Sequence, residues 1–595
     1  MRKVLSYYKI YIPLIIVILI ALMCQVWCEL SLPNYMSDII NNGIVAGDMN
    51  HIKTVGIVMS LVAAGAALSS IIGNLFASLT AAKAARRIRR DIFKAVTEFG
   101  AQEYNEFSTA SLITRSTNDV QMVQQATVMM LRMLLFAPIM GAGAVVMALK
   151  TCQGLSWTIG IALVCVLGLM IFSFIVIFPR FKVMQEKLDR INLIMKERLS
   201  GTLVVRAFRT ERHEEERFDE ANKDLTNLYI FVNKALAFMM PTMTLIMSAV
   251  SVLIVWAGAH MVSAGQLLIG DMLAYLQYAM HVIMSFMFVT MIFVMLPRAV
   301  VSAKRIGQVL DTEVSVRDPK EAVPVQAKAI EEEKAEAIDA PETKAKGIVE
   351  FKNVSFAYPG AEGDALTDIS FTAMPGETTA IIGGTGSSKT TLINLIPRFY
   401  DVTDGEILID GIDVRQMNRR ELRKRIGLVP QKGMLFGGTI RSNLLYGNEE
   451  ASEEELYEAV ETAQAMEFIE EKAQGLDEEI SQGGANVSGG QKQRLCIARA
   501  LVKKPDIYIF DDSFSALDFS TDKALRKALN EKVANSTFII VAQRINTILE
   551  ADRIIVLDEG KIAGDGTHRE LLRSNRVYRE IAFSQLSEEE LKEVK

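Results

Sequence analysis

Long uncharged apolar runs occur only in the first half of the chain. They are Tyr11–Trp27, Thr54–Ala82, Met133–Leu149, Leu155–Phe178, Ala235–Ala259 and Met272–Pro297. A helix that crosses the bilayer core needs about 20 apolar residues, with a lower bound near 17. Each run is therefore read as a spanning helix, the first and third being the shortest. A cleaved signal peptide is the alternative for the first run, but no small-residue cleavage pattern follows it. Lys and Arg gather before the first run and after the second, fourth and sixth. The segment between runs five and six has neither, and that between three and four has only Lys150. By the positive-inside rule both termini are expected on the cytoplasmic side. About 50 residues join runs two and three, and about 56 join four and five. Helical periodicity persists through Ala84–Phe99 and Lys182–Leu199, which predicts long helices that leave the bilayer. Their turning points, near Glu106–Thr114 and Thr202–Phe208, are positioned to touch a soluble domain.

Within the sixth run Met280, Met284, Met287, Met291 and Met295 fall on one helical stripe. Methionine is flexible and polarisable and suits varied apolar ligands, so the stripe is a candidate substrate contact. Helix packing or lipid contact is the plainer account of the same pattern. Gln277 and His281 lie in this run too, and polar groups at membrane depth face a bundle interior or a wet cavity.

After Arg305 the hydropathy falls, and Asp311–Lys346 is rich in Glu, Lys and Ala with three prolines, read as a solvated linker. From Gly347 the pattern becomes α/β. Ile348–Phe351 and Ala380–Ile382 read as strands, and the second runs into Gly383, Gly384, Thr385, Gly386, Ser387, Ser388, Lys389 and Thr390, with a helix beginning near Thr391. Backbone N–H groups of such a loop cradle phosphates; Lys389 would reach the β- and γ-phosphates and Thr390 would bind Mg²⁺. The P-loop pattern asks for Gly where Ser388 stands, and a left-handed backbone there would cost about 1 kcal/mol or more. Ile507–Asp511 reads as a buried strand ending in a carboxylate, which suits Asp511 to the Mg²⁺ shell. Between these motifs, Ser488, Gly489, Gly490 and Gln491 form a small-residue turn ahead of a helix over Gln493–Val502.

Composition agrees with a membrane part joined to a soluble part. Half of the 595 residues are hydrophobic, yet 23% are charged, and the mean hydropathy is +0.23. So much apolar content excludes a disordered chain, and the mean hydropathy argues against an ordinary soluble enzyme. The net charge of -6 gives no reason to expect a nucleic-acid partner. The five cysteines show neither a disulfide framework nor zinc spacing.

Taken together, these motifs resemble an ATP-binding cassette (ABC) exporter half-transporter over nearly the whole chain, with Ser488–Gln491 matching the family signature. The resemblance implies a multidomain membrane protein: a six-helix transmembrane domain of the type IV exporter fold over residues 1–310, a charged linker over 311–346, and an α/β P-loop nucleotide-binding domain over 347–595. It implies ATP and Mg²⁺ as cofactors. It assigns Tyr358 to stacking on adenine, Gly383–Thr391 to the phosphates (Thr391 included), and Gln431 to the loop that touches Mg²⁺ and the attacking water. Ser515, Ala516, Leu517 and Asp518 match the D-loop. Gln482–Gly484 matches the loop before the signature, where the family usually has Glu at position 482. The two turning points match coupling helices.

Two positions depart from the family pattern. The general base after Asp511 is normally Glu and is Asp512 here, one methylene or roughly 1.5 Å short; a misplacement of about 1 Å can cost on the order of 100-fold in rate. The switch histidine is replaced by Gln543, which cannot carry a positive charge. Both faults lie in the chain's own ATP site, while its signature is intact. In this family each ATP lies between one chain's P-loop and the other's signature. The expected protein is thus the degenerate-site subunit of a heterodimeric exporter in a bacterial plasma membrane. Its partner would be a second half-transporter with consensus Glu and His, and its cargo amphipathic drugs, lipids or peptides. With no further domain ahead of the first span, a peptidase-fused peptide exporter is not expected. Two other readings share the motifs: an importer of metal chelates with exporter architecture, and an ATP-binding regulatory subunit.

Overall fold

The structure, a computed structural model, describes residues 2–319, 346–532 and 535–586. It divides into two compact units. One comprises Met1–Thr97 with Ser108–Thr312, the other Glu98–Phe107 with Glu313–Lys595.

The first unit is all-helical. In chain order its helices and their connections are α1 (Ile12–Asp38), α2 (Met49–Glu98), α3 (Ala101–Glu106), α4 (Thr109–Thr114), α5 (Val120–Met129), α6 (Leu135–Thr151), α7 (Ser156–Val176), α8 (Phe178–Ser200), α9 (Thr202–Phe208), α10 (Glu211–Ser263) and α11 (Ile269–Asp311), of which α3 belongs to the second unit. Among the described residues, six helical stretches are long and apolar enough to cross a membrane. The long-helix expectation is met most fully by α2, unbroken over 50 residues. Its buried face, Gly73, Ala77, Ala81, Ala84, Ala85, Ile88 and Ile92, is built mainly of small residues at helical spacing, which lets neighbouring backbones approach closely. The fourth run is interrupted at Ile177, between α7 and α8. The first run proves too short as drawn: α1 continues past Trp27 to Asp38, because a single carboxylate at Glu29 ends an apolar run but not a helix.

Helix α11 packs along α1 and α6. Two of its tyrosines are fully buried, and each finds an acceptor: Tyr275 Oη donates to Leu155 O at 2.7 Å, and Tyr278 Oη to Asn34 Oδ1 at 2.8 Å. A buried phenol needs such a partner, so these bonds fix the register of α11.

The second unit holds two main sheets. The larger has the order β12-β11-β3-β10-β9-β6, formed by β3 (Thr378–Gly383), β6 (Ile426–Val429), β9 (Ile507–Asp511), β10 (Thr537–Val541), β11 (Arg553–Asp558) and β12 (Lys561–Gly566). All but the edge strand β12 run parallel. Such strands are buried on both faces and read as apolar runs. Alternate residues face two separate cores: Tyr508 and Phe510 one, Ile507 and Ile509 the other. The smaller, antiparallel sheet has the order β2-β1-β4-β5, with β1 (Val349–Phe356), β2 (Leu366–Ala373), β4 (Asp404–Ile409) and β5 (Ile412–Asp413). A two-residue pairing of β7 (Gly438–Thr439) with β8 (Glu479–Ile480) completes the strands. Three helices matter for the site: α12 (Lys389–Leu395), α13 (Gly489–Val502) and α14 (Phe519–Lys532). Helix α12 starts at Lys389, two residues before the predicted Thr391, and α13 starts at Gly489 rather than Gln493. In both cases residues of weak helix propensity sit in the first turn, where a cap or a loop holds them.

Candidate nucleotide site

Register brings the site together. In the large sheet β10 lies between β3 and β9, with Val541 opposite Ile381 on one side and Asp511 on the other. The parallel strands therefore end at one edge, and there the P-loop follows β3, Asp512 follows β9 and Gln543 follows β10.

Tight packing dictates the P-loop sequence. A Cβ on Gly383 would lie 2.1 Å from Leu557 O and 2.6 Å from Ser387 Oγ, so no side chain fits. Gly386 is left-handed (φ +86°). So is Ser388, at φ 67° and ψ 25°, the strained conformation expected there. The Lys389 ammonium donates to Gly383 O at 2.8 Å, Gly384 O at 2.7 Å and Ser387 Oγ at 3.2 Å. Burial pushes that ammonium below the ordinary lysine range, while the Asp511 and Asp512 carboxylates pull it back. Thr385 is exposed on the loop and Thr390 in the first turn of α12.

Asp511 closes β9 and is buried. Thr390 Oγ1 donates to its two carboxylate oxygens at 3.3 and 3.1 Å. Burial pushes the Asp511 carboxyl above the usual carboxylate range; the Thr390 hydroxyl opposes that, and neighbouring Asp512 adds to it. A desolvated carboxylate beside a hydroxyl is a pair of hard oxygen donors that fits Mg²⁺. The third residue named for the metal, Gln431, is placed differently: its Nε2 donates to Asp512 Oδ2 at 3.2 Å. Asp512 is itself left-handed (φ 48°), and its N–H donates to Val541 O at 2.9 Å. Gln543 is exposed, and its backbone carbonyl accepts from Gln585 Nε2 at 2.8 Å.

Sequence reasoning missed Ser513. It is fully buried, and its Oγ donates to Val429 O at 3.1 Å, tying the strand before Gln431 to the strand before Asp512. A lone serine after two aspartates carries no pattern that would reveal this.

Tyr358 Oη lies 2.8 Å from Thr391 Oγ1, and its ring meets Tyr400 edge-on at 5.5 Å. Tyr400 in turn accepts from Asn105 Nδ2 of α3 at 3.3 Å. The stretch that packs within this unit, Glu98–Phe107, thus begins ahead of the turning point predicted near Glu106–Thr114 and overlaps its start. Glu103 anchors it, its buried carboxylate accepting from Gly100 N at 2.7 Å and Ser315 N at 2.8 Å. Neither Tyr400 nor Asn105 was legible beforehand, because the two lie far apart in sequence and neither belongs to a motif.

The signature turn is a capping box. Ser488 Oγ accepts from Gln491 N at 3.2 Å, and Gln491 Oε1 accepts from Ser488 N at 3.0 Å. Gly489 and Gly490 fill the first turn of α13. A Cβ on Gly490 would lie 3.3 Å from Ala516 O, so the signature and D-loop are neighbours in this chain. Leu517 is buried, and Ser515 Oγ donates to Asp512 O at 2.9 Å. Asp518 caps α14 by accepting from Ser520 Oγ at 2.5 Å and Thr521 N at 2.9 Å; those bonds hold its carboxyl well below the usual range.

Comparison with known proteins agrees with this architecture. Residues 15–286 match the ABC transporter transmembrane region and residues 366–515 match ABC transporter. An ABC transporter ATP-binding protein of Mycobacterium tuberculosis is 39% identical over 562 residues, covering 94% of this chain and 93% of the relative. The chain belongs to the ABC transporter family. An ABC transporter ATP-binding protein of Bacillus subtilis is 35% identical, covering 99% of each chain. An ATP-dependent lipid A-core flippase of Pseudomonas aeruginosa is 30% identical, covering 91% of this chain and 87% of the flippase. In fold, the chain is like a bacterial Atm1-family ABC exporter solved with ATP bound, with a TM-score of 0.76 and 24% identity over 97% of this chain and 98% of that one. This ABC transporter therefore has an exporter fold, six candidate spans among the described residues and a nucleotide-binding domain of a kind that implies ATP and, typically, Mg²⁺.

The methionine stripe divides. Met280 and Met284 line a cavity in the helical unit, Met287 packs against its apolar core, and Met295 is half-buried. The Met291 side chain lies outside the described residues.

Proposed function

We propose that this ABC transporter is the degenerate-site half of a heterodimeric, ATP-driven exporter of amphipathic compounds in a bacterial plasma membrane, with both termini cytoplasmic. Residues 1–310 would form the transmembrane domain, 311–346 the linker and 347–595 the nucleotide-binding domain. The observation that carries the reading is the 3.2 Å bond from Gln431 Nε2 to the short carboxylate of Asp512, at the position where the family's general base stands. Gln431 approaches that carboxylate directly, and the Asp side chain is one methylene short of the place a Glu would reach. A base displaced by roughly 1 Å activates water poorly. Gln543 can donate a hydrogen bond to a γ-phosphate but supplies no charge.

In this reading Tyr358 stacks on the base, the loop amides hold the phosphates, and Lys389 exchanges its carbonyl partners for the β- and γ-phosphate oxygens. Thr390 and Asp511 would hold Mg²⁺, which neutralises phosphate charge when bound. Ser488–Gln491 would present the capped N-terminus of α13 to ATP on the partner's P-loop. ATP at this chain's own site would act mainly as a clamp that closes the dimer, and hydrolysis at the other site would reset it. Lipid-like cargo is supported by the flippase relatives.

The test is to purify the tagged chain from native membranes, identify what accompanies it, and compare ATPase activity of the complex with that of the chain alone. The expected result is a second half-transporter carrying Glu and His at the matching positions, with hydrolysis only by the pair. A homodimer that hydrolyses ATP briskly would overturn the proposal.

A further inference from the structure

The helical unit encloses a cavity of about 460 Å³. Four methionines and two phenylalanines line it, together with Gln25, Glu29, Arg132 and His281. Two charged groups of opposite sign inside a membrane unit are costly unless something compensates them. Here they do not compensate each other. Among the described residues, Glu29 and Arg132 form no ion pair within 4.0 Å; Glu29 accepts from Gln25 Nε2 at 2.8 Å and acts electrostatically on His281. Arg132 has no protein acceptor among the described residues.

Their places explain why. Tyr8 Oη meets Thr127 Oγ1 at 2.6 Å, and a Cβ on Gly143 would touch Leu30 Cδ1 at 2.4 Å. The first and third spans therefore run the same way, and Glu29 lies level with the residue before Gly143. Arg132 stands eleven positions before Gly143, roughly 15 Å lower at a rise of about 1.5 Å per residue. The cavity thus has a carboxylate at one end, a guanidinium at the other and a soft apolar wall between. Flexible methionine lets that wall adapt to acyl or aromatic groups.

We propose that this cavity binds a zwitterionic amphiphile, whose cationic group meets Glu29 and Gln25, whose anionic group meets Arg132, and whose apolar part lies on Met280 and Met284. The inference rests on the exporter reading for its purpose, but not for its chemistry. A purely cationic or purely anionic amphiphile leaves one half-buried charge unpaired, which is the penalty that would separate the three classes.

The test uses the complex as purified from native membranes, in lipid nanodiscs. Binding of three single-chain probes with matched acyl tails is measured without nucleotide: lysophosphatidylcholine (zwitterionic), lysophosphatidylglycerol (anionic) and an acyl trimethylammonium (cationic). Wild type is expected to bind the zwitterion at the lowest concentration. Glu29→Gln should weaken the zwitterion and the cation about tenfold, and Arg132→Gln should weaken the zwitterion and the anion by a similar factor. Arg132→Lys keeps the charge and should keep the order of preference, which separates a charge effect from misfolding. Met284→Trp should weaken all three by filling the cavity. A wild type that prefers a singly charged probe, or charge-removing variants that shift all probes alike, would overturn the proposal. ATP-driven movement of the probes in vesicles is scored separately. Charge-selective binding without movement would sink the exporter reading and leave the cavity standing; movement indifferent to both charge variants would do the reverse.

Discussion

At the signature turn two reciprocal bonds close within four residues, and no residue from Ser488 to Gln491 has left-handed backbone. At the P-loop face the same domain holds two non-glycine residues in left-handed backbone, Ser388 and Asp512, and depends on contacts between strands far apart in sequence. A capping box is a local device and tolerates change elsewhere in the chain. The P-loop face is a product of sheet register, so a substitution there alters geometry that no neighbour can restore. On the proposed heterodimer reading, that contrast would let the two faces drift apart, the local face staying whole for a partner's use while the assembled one loses catalytic competence.

The sharpest way to break the comparison is to repair the assembled face. Asp512→Glu with Gln543→His should raise hydrolysis by the chain's own site, by up to about 100-fold in steady-state ATPase; an unchanged rate would mean that neither position limits it. The local face should respond in the opposite sense. Ser488→Ala removes the helix cap at a cost of about 1 kcal/mol, and should lower ATPase of the pair roughly tenfold while the isolated chain keeps its nucleotide affinity, read with a fluorescent ATP analogue. The smallest effect concerns strain. Ser388→Gly relieves about 1–2 kcal/mol of left-handed cost but adds about 0.5–1 kcal/mol of unfolded-state entropy. The net gain should raise the unfolding midpoint of the nucleotide-binding unit by about 1–2 °C, with little change in ATP affinity, because glycine adopts the left-handed backbone that Ser388 has in the structure.

Much of the site was legible because its motifs are contiguous. Gly383 must be glycine for a reason that lies in Leu557, yet the spacing to Lys389 announced the loop without it. The strain at Ser388 was also readable, since the motif fixes which position turns left-handed. The motif around Gln431 points to Mg²⁺ and the attacking water, and the bond of its amide to Asp512 is a contact that spacing alone does not show. Ser513, Tyr400 and Asn105 were invisible, because each works through a partner tens to hundreds of residues away. In the helical unit Glu29 and Arg132, which lie just outside the first and third apolar runs, line a cavity inside it. A hydropathy rule cuts a run at the first charge, while a helix is ended only by its backbone.

The sequence by itself determined the six apolar runs, the α/β cassette and the contiguous motifs that carry Lys389, Asp511, Asp512 and Gln543. Those follow from composition and local spacing, which chain connectivity preserves. Only the tertiary structure decided that Asp512 meets Gln431, that Tyr400 joins Tyr358 to the α3 segment, and that two of the five methionines share a cavity with opposite charges. Those are contacts between elements. They depend on strand order and helix register, which burial of whole faces sets and no short motif records.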